Sequence, residues 1–351
     1  MVTADRRQGR RRADPPPRRR RLPESPPPPP RSARTWTWTW GTLLVVAALA
    51  VLLLGRTDVL PLVAQRGAAV VLTTLYGVAL AVRTGGRPVI SGALCLVLGV
   101  AGVALAEPIL LSGLVVLTGV VSAVLGVMLT LPAATFPGVV REVLVAVVVA
   151  AAGALAIEGY AAEVSRERLA YVVLALSLAG ALLLVFRLGA GLHGLGRRGS
   201  VILAAGLGAV TVTLAYTEAL RRWASPGLLG AFESFVAQVD ATLGGVPQPL
   251  AILLGFPALA WGVSMRARRR QGWWVCAFGV AATGPLAVAL ASVGLVTAGF
   301  SLLYSLLAGL VVGYGVIRLD QFLTGPRGRR ARQLEAASAH RPEPRRTAPV
   351  L

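Results

Sequence analysis

The chain contains no lysine: all 35 of its basic residues are arginines, set against only 15 acidic residues and two histidines in 351 positions. Charge of either sign is scarce, at 14% of residues. A soluble domain carries about 25%, so an extended solvated surface is excluded. Only two cysteines occur, Cys95 and Cys276, each inside an apolar run with no C-x-x-C and no Cys/His cluster nearby. That excludes a disulfide framework and a thiolate-held metal, and leaves both as small core residues. Catalytic signatures are also missing. There is no H-E-x-x-H, no P-loop, no Ser/His/Asp set and no pair of carboxylates on one inner surface, and the loops are too short for a separate soluble active-site domain. The expectation is a non-enzyme with no cofactor and no metal. Gly189, Gly191 and Gly194 fit G-x-G-x-x-G around His193. Their flanks are apolar runs, not a strand and a soluble helix, and no acidic residue follows about 20 positions on. Nucleotide binding is not expected, and His193 reads as a polar residue in a glycine-rich turn.

What the chain does have is apolar length. Hydrophobic residues make up 55% and mean hydropathy is +0.70, the range of membrane proteins. The organising stretch is Arg266, Arg268, Arg269 and Arg270, which sits between the apolar runs Pro249 to Met265 and Trp273 to Ser292. Inserting arginine into hydrocarbon costs roughly 2.5 to 3.5 kcal/mol, and Arg/Lys near span ends decide orientation. This loop is therefore expected in the cytoplasm, and every other span is oriented by counting outward from it.

Residues 1–35 hold eleven arginines and nine prolines and read as a disordered Arg/Pro-rich cytoplasmic tail. The expected membrane domain, 36–317, opens with an aromatic belt of Trp36, Trp38 and Trp40 before a first span ending at Leu54. Further spans are expected at Leu60 to Val82, Pro88 to Ala106, Pro108 to Leu131, Glu142 to Ile157, Leu169 to Phe186 and Val201 to Tyr216. The third and fourth form a tight hairpin around Glu107. Near 227–243, Leu228, Phe232, Phe235, Val239 and Leu243 share one face, which predicts an amphipathic helix at the outer interface. The eighth and ninth spans flank the arginine loop, and a tenth runs from Thr297 to Ile317. Residues 318–351 form a second basic tail.

With both termini inside, the inner side carries 29 of the arginines and seven acidic residues, and the outer side six and eight. The predicted fold is all-α: a polytopic bundle of about ten transmembrane helices, N-in and C-in, with disordered basic tails, in a bacterial-type plasma membrane. Expected partners are the bilayer, with anionic lipid against the cytoplasmic tails at about 1 kcal/mol per arginine, and proteins recruited through the tails. Nucleic acid is not expected.

Ionisable residues at depth mark solute or ion pathways, but Arg141, Glu142, Glu158, Arg187 and Glu218 all fall near span ends. Glu158 and Glu218, with Tyr216 and Trp223, form the candidate external site. Hydroxyl residues make up the candidate helix-lining set: Thr211 and Thr213 in the seventh span, and Ser301, Tyr304 and Ser305 on one face of the tenth. Gly309 and Gly313, a G-x-x-x-G pair, are expected to pack against a neighbouring helix of the same chain. Five spans per half, an odd number, would give two halves of opposite orientation. This plan resembles the five-plus-five arrangement of drug/metabolite-type exporters in span count and orientation. The expectation that follows is a permease or exporter of a small or lipidic solute. The alternative is a membrane scaffold whose basic tails recruit partners or anionic lipid.

Overall fold

The computed structural model describes residues 31–57, 59–190, 196–268, 272–289, 294–324 and 343–350. The expectations for residues 1–30, for the glycine motif around His193, for Arg269 and Arg270 and for 325–342 lie outside the described residues. The chain divides into two compact units, Met1–Trp40 and Gly41–Leu351. In the first, the described residues belong to helix α1 (Arg31–Gly55), whose remainder opens the second.

All regular structure among the described residues is helical: α2 (Leu62–Arg83), α3 (Pro88–Leu105), α4 (Pro108–Met128), α5 (Phe136–Gly159), α6 (Arg166–Val185), α7 (Gly196–Trp223), α8 (Pro226–Leu243), α9 (Phe256–Arg266), α10 (Gly272–Ala277), α11 (Val280–Ala289) and α12 (Leu295–Thr324). Among the described residues, eight helical stretches are long and apolar enough to cross a membrane, and two shorter apolar ones cover Thr39–Gly55 and Ala251–Arg266. A helix satisfies its backbone internally, as a span in hydrocarbon must. Proline opens several of them: α3, α4, α5, α8 and α9 each carry one in the first turn, where its missing N–H is not needed. Between α3 and α4 the chain turns on Ala106, held at φ 52° with its N–H donated to the Gly102 carbonyl. This is the tight hairpin expected around Glu107.

Several ends differ from the hydropathy reading. Helix α5 starts at Phe136 and not near Glu142, because Thr135 and Pro137 supply a start signal that a hydropathy window passes over. Helices α7 and α12 extend past their apolar runs to Trp223 and Thr324. Most consequential, the run from Trp273 to Ser292 is not one continuous helix. It breaks at Phe278 and Gly279, between α10 and α11, and Pro285 lies inside α11. Its neighbour is irregular too, since a π-helical turn, Ala251–Gly255, precedes α9. These two stretches press together tightly: a Cβ on Gly255 would come within 2.4 Å of the Ala282 backbone nitrogen.

The broken stretch is the most buried of the candidate spans. It packs among α4, α5, α6 and α9. One apolar core joins α4, α5, α6, α9, α10, α11 and α12, and a second joins α1, α2, α4, α5 and α11. Gly309 and Gly313 do pack within the chain: α12 lies on α9 there, with Phe256 against the first glycine and Ala260 and Pro257 against the second. At the periphery, Val89, Val97, Ile109, Val148, Val212 and Val311 face outward, the arrangement expected where lipid is the solvent. No residue of α8 is buried, and Leu228, Phe232 and Phe235 are uncovered on its apolar face.

Candidate functional site

At one end of the bundle, α2, α4 and α9 finish and α5 and α10 begin. Arg83, the last residue of α2, and Arg266, the last of α9, are both fully buried, and Glu142 in the second turn of α5 is 0% exposed. Uncompensated ions at such burial are heavily penalised, so each has partners. Arg266 donates from Nη1 to Thr130 Oγ1 at 2.8 Å and from Nη2 to the Thr130 carbonyl at 2.9 Å. Its guanidinium lies 3.4 Å over the Trp273 ring, a favourable cation–π stack. Arg83 donates from Nε to the Met128 carbonyl at 2.9 Å. Glu142 accepts from the Leu131 N–H at 2.8 Å and from Arg141 Nε at 3.0 Å. The connection from α4 to α5 is thus tied to both arginine-bearing helices.

The remaining partners come from the far end of the sequence. Residues 343–350 lie in this socket. Glu343 accepts a fork from Arg266, Nε to Oε1 at 3.3 Å and Nη2 to Oε2 at 2.5 Å. The carbonyls of Pro344, Arg345 and Ala348 accept from Arg83 Nη1 at 3.0 to 3.3 Å. Arg346 reaches both Glu142 oxygens, at 2.6 and 2.8 Å. The Val350 N–H donates to the Arg83 carbonyl at 3.1 Å, and its side chain packs on the larger apolar core. The contact is reciprocal in charge: an acidic residue of the segment meets two buried cations, and a basic one meets the buried carboxylate. One donor is left over. Arg83 Nη2 is buried with no hydrogen-bond partner among the described residues, and the Glu343 carboxylate is 3.9 Å away.

Hydroxyl groups meet midway along α2 and α4, where the side chain that follows α5 reaches them. Thr73 Oγ1 lies 2.7 Å from Thr118 Oγ1 and 3.0 Å from the Tyr160 hydroxyl, and donates to the Ala69 carbonyl. All three side chains are buried. Arg66 donates to the Tyr160 carbonyl, and Arg56 pairs with Glu158.

Glu158 and Glu218, expected at one external site, are engaged on different helices: Glu158 by Arg56, and Glu218 by Arg222 one turn along α7. Tyr216 and Trp223 are exposed on α7. Thr211 is exposed on the same helix, and Thr213 bonds back to the Ala209 carbonyl. The trio in α12 does come together, around the turn that leaves α8. Ser301 donates to the Val246 carbonyl, Tyr304 to the Leu243 carbonyl, and Ser305 accepts from the Gln248 N–H at 2.8 Å. Ser305 and Gln248 also line a narrow crevice with Phe256, Leu286 and Leu302.

The charged socket was missed by sequence reasoning, which placed Arg266 in the arginine loop and did not single out Arg83. A pointer was present in Glu343, an acidic residue between two prolines in a tail otherwise rich in arginine. Compared with protein-family models, curated proteins and solved structures, the chain matches none.

Proposed function

We propose that the protein is a ten-span permease of the plasma membrane, with both termini in the cytoplasm and a solute route that reaches the charged socket. The ten spans are the eight membrane-length stretches together with Thr39–Gly55 and Ala251–Arg266. The observation that carries this reading is the socket: two fully buried guanidinium groups and a buried carboxylate at the ends of apolar helices. Buried ions are costly to keep without partners, and this supports a binding role for the socket at the mouth of a solute route. The interruptions that lie deeper in the same stretches, the π-turn at the far end of α9 and the break between α10 and α11, are the kind of discontinuous helix from which transporter binding sites are made.

Purified protein in vesicles tests the proposal by uptake or efflux over a broad solute panel. Flux that disappears in Arg83→Gln supports it, and no flux or binding across the panel overturns it. Tags on the two termini should both be reached only from the cytoplasmic side. A scaffold is the second reading, favoured by the uncovered apolar face of α8; its outer-interface position and recruitment through the basic tails belong to that reading. Replacing the arginines of residues 1–30 and 325–342 with glutamine, which leaves 343–350 in place, separates the two. A permease keeps its flux, whereas a scaffold loses its protein or anionic-lipid partners.

A further inference from the structure

Glu343 occupies the position of a ligand. Its carboxylate is gripped by the Arg266 fork, yet the second buried cation is only partly used, with Arg83 Nη2 unpartnered 3.9 Å from the same carboxylate. The segment reaches Arg83 mainly through backbone carbonyls.

The consequences of removing residues 343–350 are unequal for the two signs of charge. Without Arg346, Glu142 keeps the Leu131 N–H and Arg141. Without Glu343, Arg83 and Arg266 lose the carboxylate they share. An open socket therefore calls for an anion. The donors specify which kind. Arg83 spends Nε on Met128, and Arg266 spends Nη1 on the Thr130 hydroxyl and Cys276 Sγ and one N–H of Nη2 on the Thr130 carbonyl. The N–H groups freed are four from Arg83, on Nη1 and Nη2, and two from Arg266, on Nε and Nη2. A carboxylate offers only about four lone-pair sites, whereas a phosphoryl group presents three strong acceptor oxygens, and two arginine forks suit phosphate geometry. Trp273 fixes the plane of the Arg266 fork.

We propose that Arg83 and Arg266 form a binding site for a phosphoryl group, and that Glu343 fills it as a built-in substitute, so that phosphoryl entry and release of residues 343–350 are a single exchange. This rests on the permease reading and gives it a substrate class: a phosphorylated solute or a phospholipid headgroup. Closure by the segment is then a resting state that the ligand itself opens.

The test uses the full-length protein in nanodiscs of phosphatidylcholine. Inorganic phosphate and glycerol phosphate are titrated against chloride at matched ionic strength, while amide exchange in 343–350 is followed at Ala348 and Val350, whose N–H groups are bonded in the docked segment. Phosphate is expected to speed that exchange about tenfold and chloride is not, and Glu343→Gln should bind phosphate about tenfold more tightly, within the usual range of coupling between two sites. Nanodiscs doped with phosphatidic acid form the second arm. Release there but not with soluble phosphate assigns the site to a headgroup, and release by the soluble compounds assigns it to a solute. The wild-type exchange experiment stands by itself if Glu343→Gln does not fold. Exchange unmoved by phosphate in any form, an equal response to chloride, or a full response retained by Arg83→Gln overturns the proposal. Solute flux without a phosphate response removes this site and leaves the permease, and phosphate-driven release without flux does the reverse.

Discussion

Replacing Glu142 separates the two roles that the socket gives it. The side chain is wholly buried, holds the Leu131 N–H at the α4–α5 connection and accepts both contacts from Arg346. In Glu142→Ala the Leu131 donor loses its acceptor, which costs about 1 to 3 kcal/mol. Truncating a buried ion pair costs about 3 to 5 kcal/mol when the surviving charge stays buried. Arg346 is 26% exposed in its side chain and can turn to water, so the lower figure applies and the expected loss is about 3 kcal/mol. At about 2 to 4 °C per kcal/mol, the midpoint of thermal unfolding should fall by about 6 to 12 °C. Glu142→Gln keeps an oxygen for Leu131 and should lose about half as much, its effect falling mainly on the hold over 343–350. The control is Glu158→Ala. Its pair with Arg56 is about a quarter to a third exposed, and such pairs contribute about 1 kcal/mol or less. Thermal unfolding of the purified proteins in one detergent, with amide exchange of 343–350 alongside, decides the matter. Equal shifts for Glu142→Ala and Glu158→Ala would refute the claim that the socket ties the helices together.

Three further outcomes follow from the packing. Gly255→Ala should destabilise by about 2 kcal/mol or more, since its Cβ would meet the Ala282 backbone at 2.4 Å and overpacking a filled core costs about 1 to 3 kcal/mol; Gly113→Ala, with open space around it, should be neutral or gain up to about 1 kcal/mol, both read by thermal unfolding. Thr73→Val removes the hydroxyl shared by Thr118, Tyr160 and the Ala69 carbonyl and should lose about 1 to 2 kcal/mol, more than Tyr160→Phe, since an unmade buried hydrogen bond strands its partners; the same melts rank the two. Cys276 and Cys95, both buried, should resist a maleimide in the folded protein and react on denaturation, as mass spectrometry would show.

Much of the architecture was legible because a membrane span is a local property. Some twenty apolar residues announce themselves wherever they fall, and the arginine loop and the proline starts set their limits. The α8 pattern was equally local, its face visible in the spacing of Leu228, Phe232 and Phe235. The break at Phe278 and Gly279 was harder. Every residue there is apolar or glycine, so hydropathy is blind to it, although Gly279 and Pro285 could have raised the question. The socket was out of reach for a different reason. Arginines at span ends have a sufficient explanation in topology, and nothing within a few residues of Arg83 or Arg266 distinguishes a solvated guanidinium from one sealed under a segment some 77 to 260 positions away. The hydroxyl trio of α12 shares a face by its spacing, but spacing alone could not say that the face closes on the turn after α8.

The order in which a ribosome makes this chain gives the socket one more property. Synthesis runs from the N-terminus, so Arg83, Glu142 and Arg266 emerge well before Glu343 and Arg346. A premature stop anywhere in 325–342 would deliver every apolar helix to the bilayer and still withhold both matching charges. Until residues 343–350 follow, Arg83, Arg266 and Glu142 lack the partners that this segment brings them.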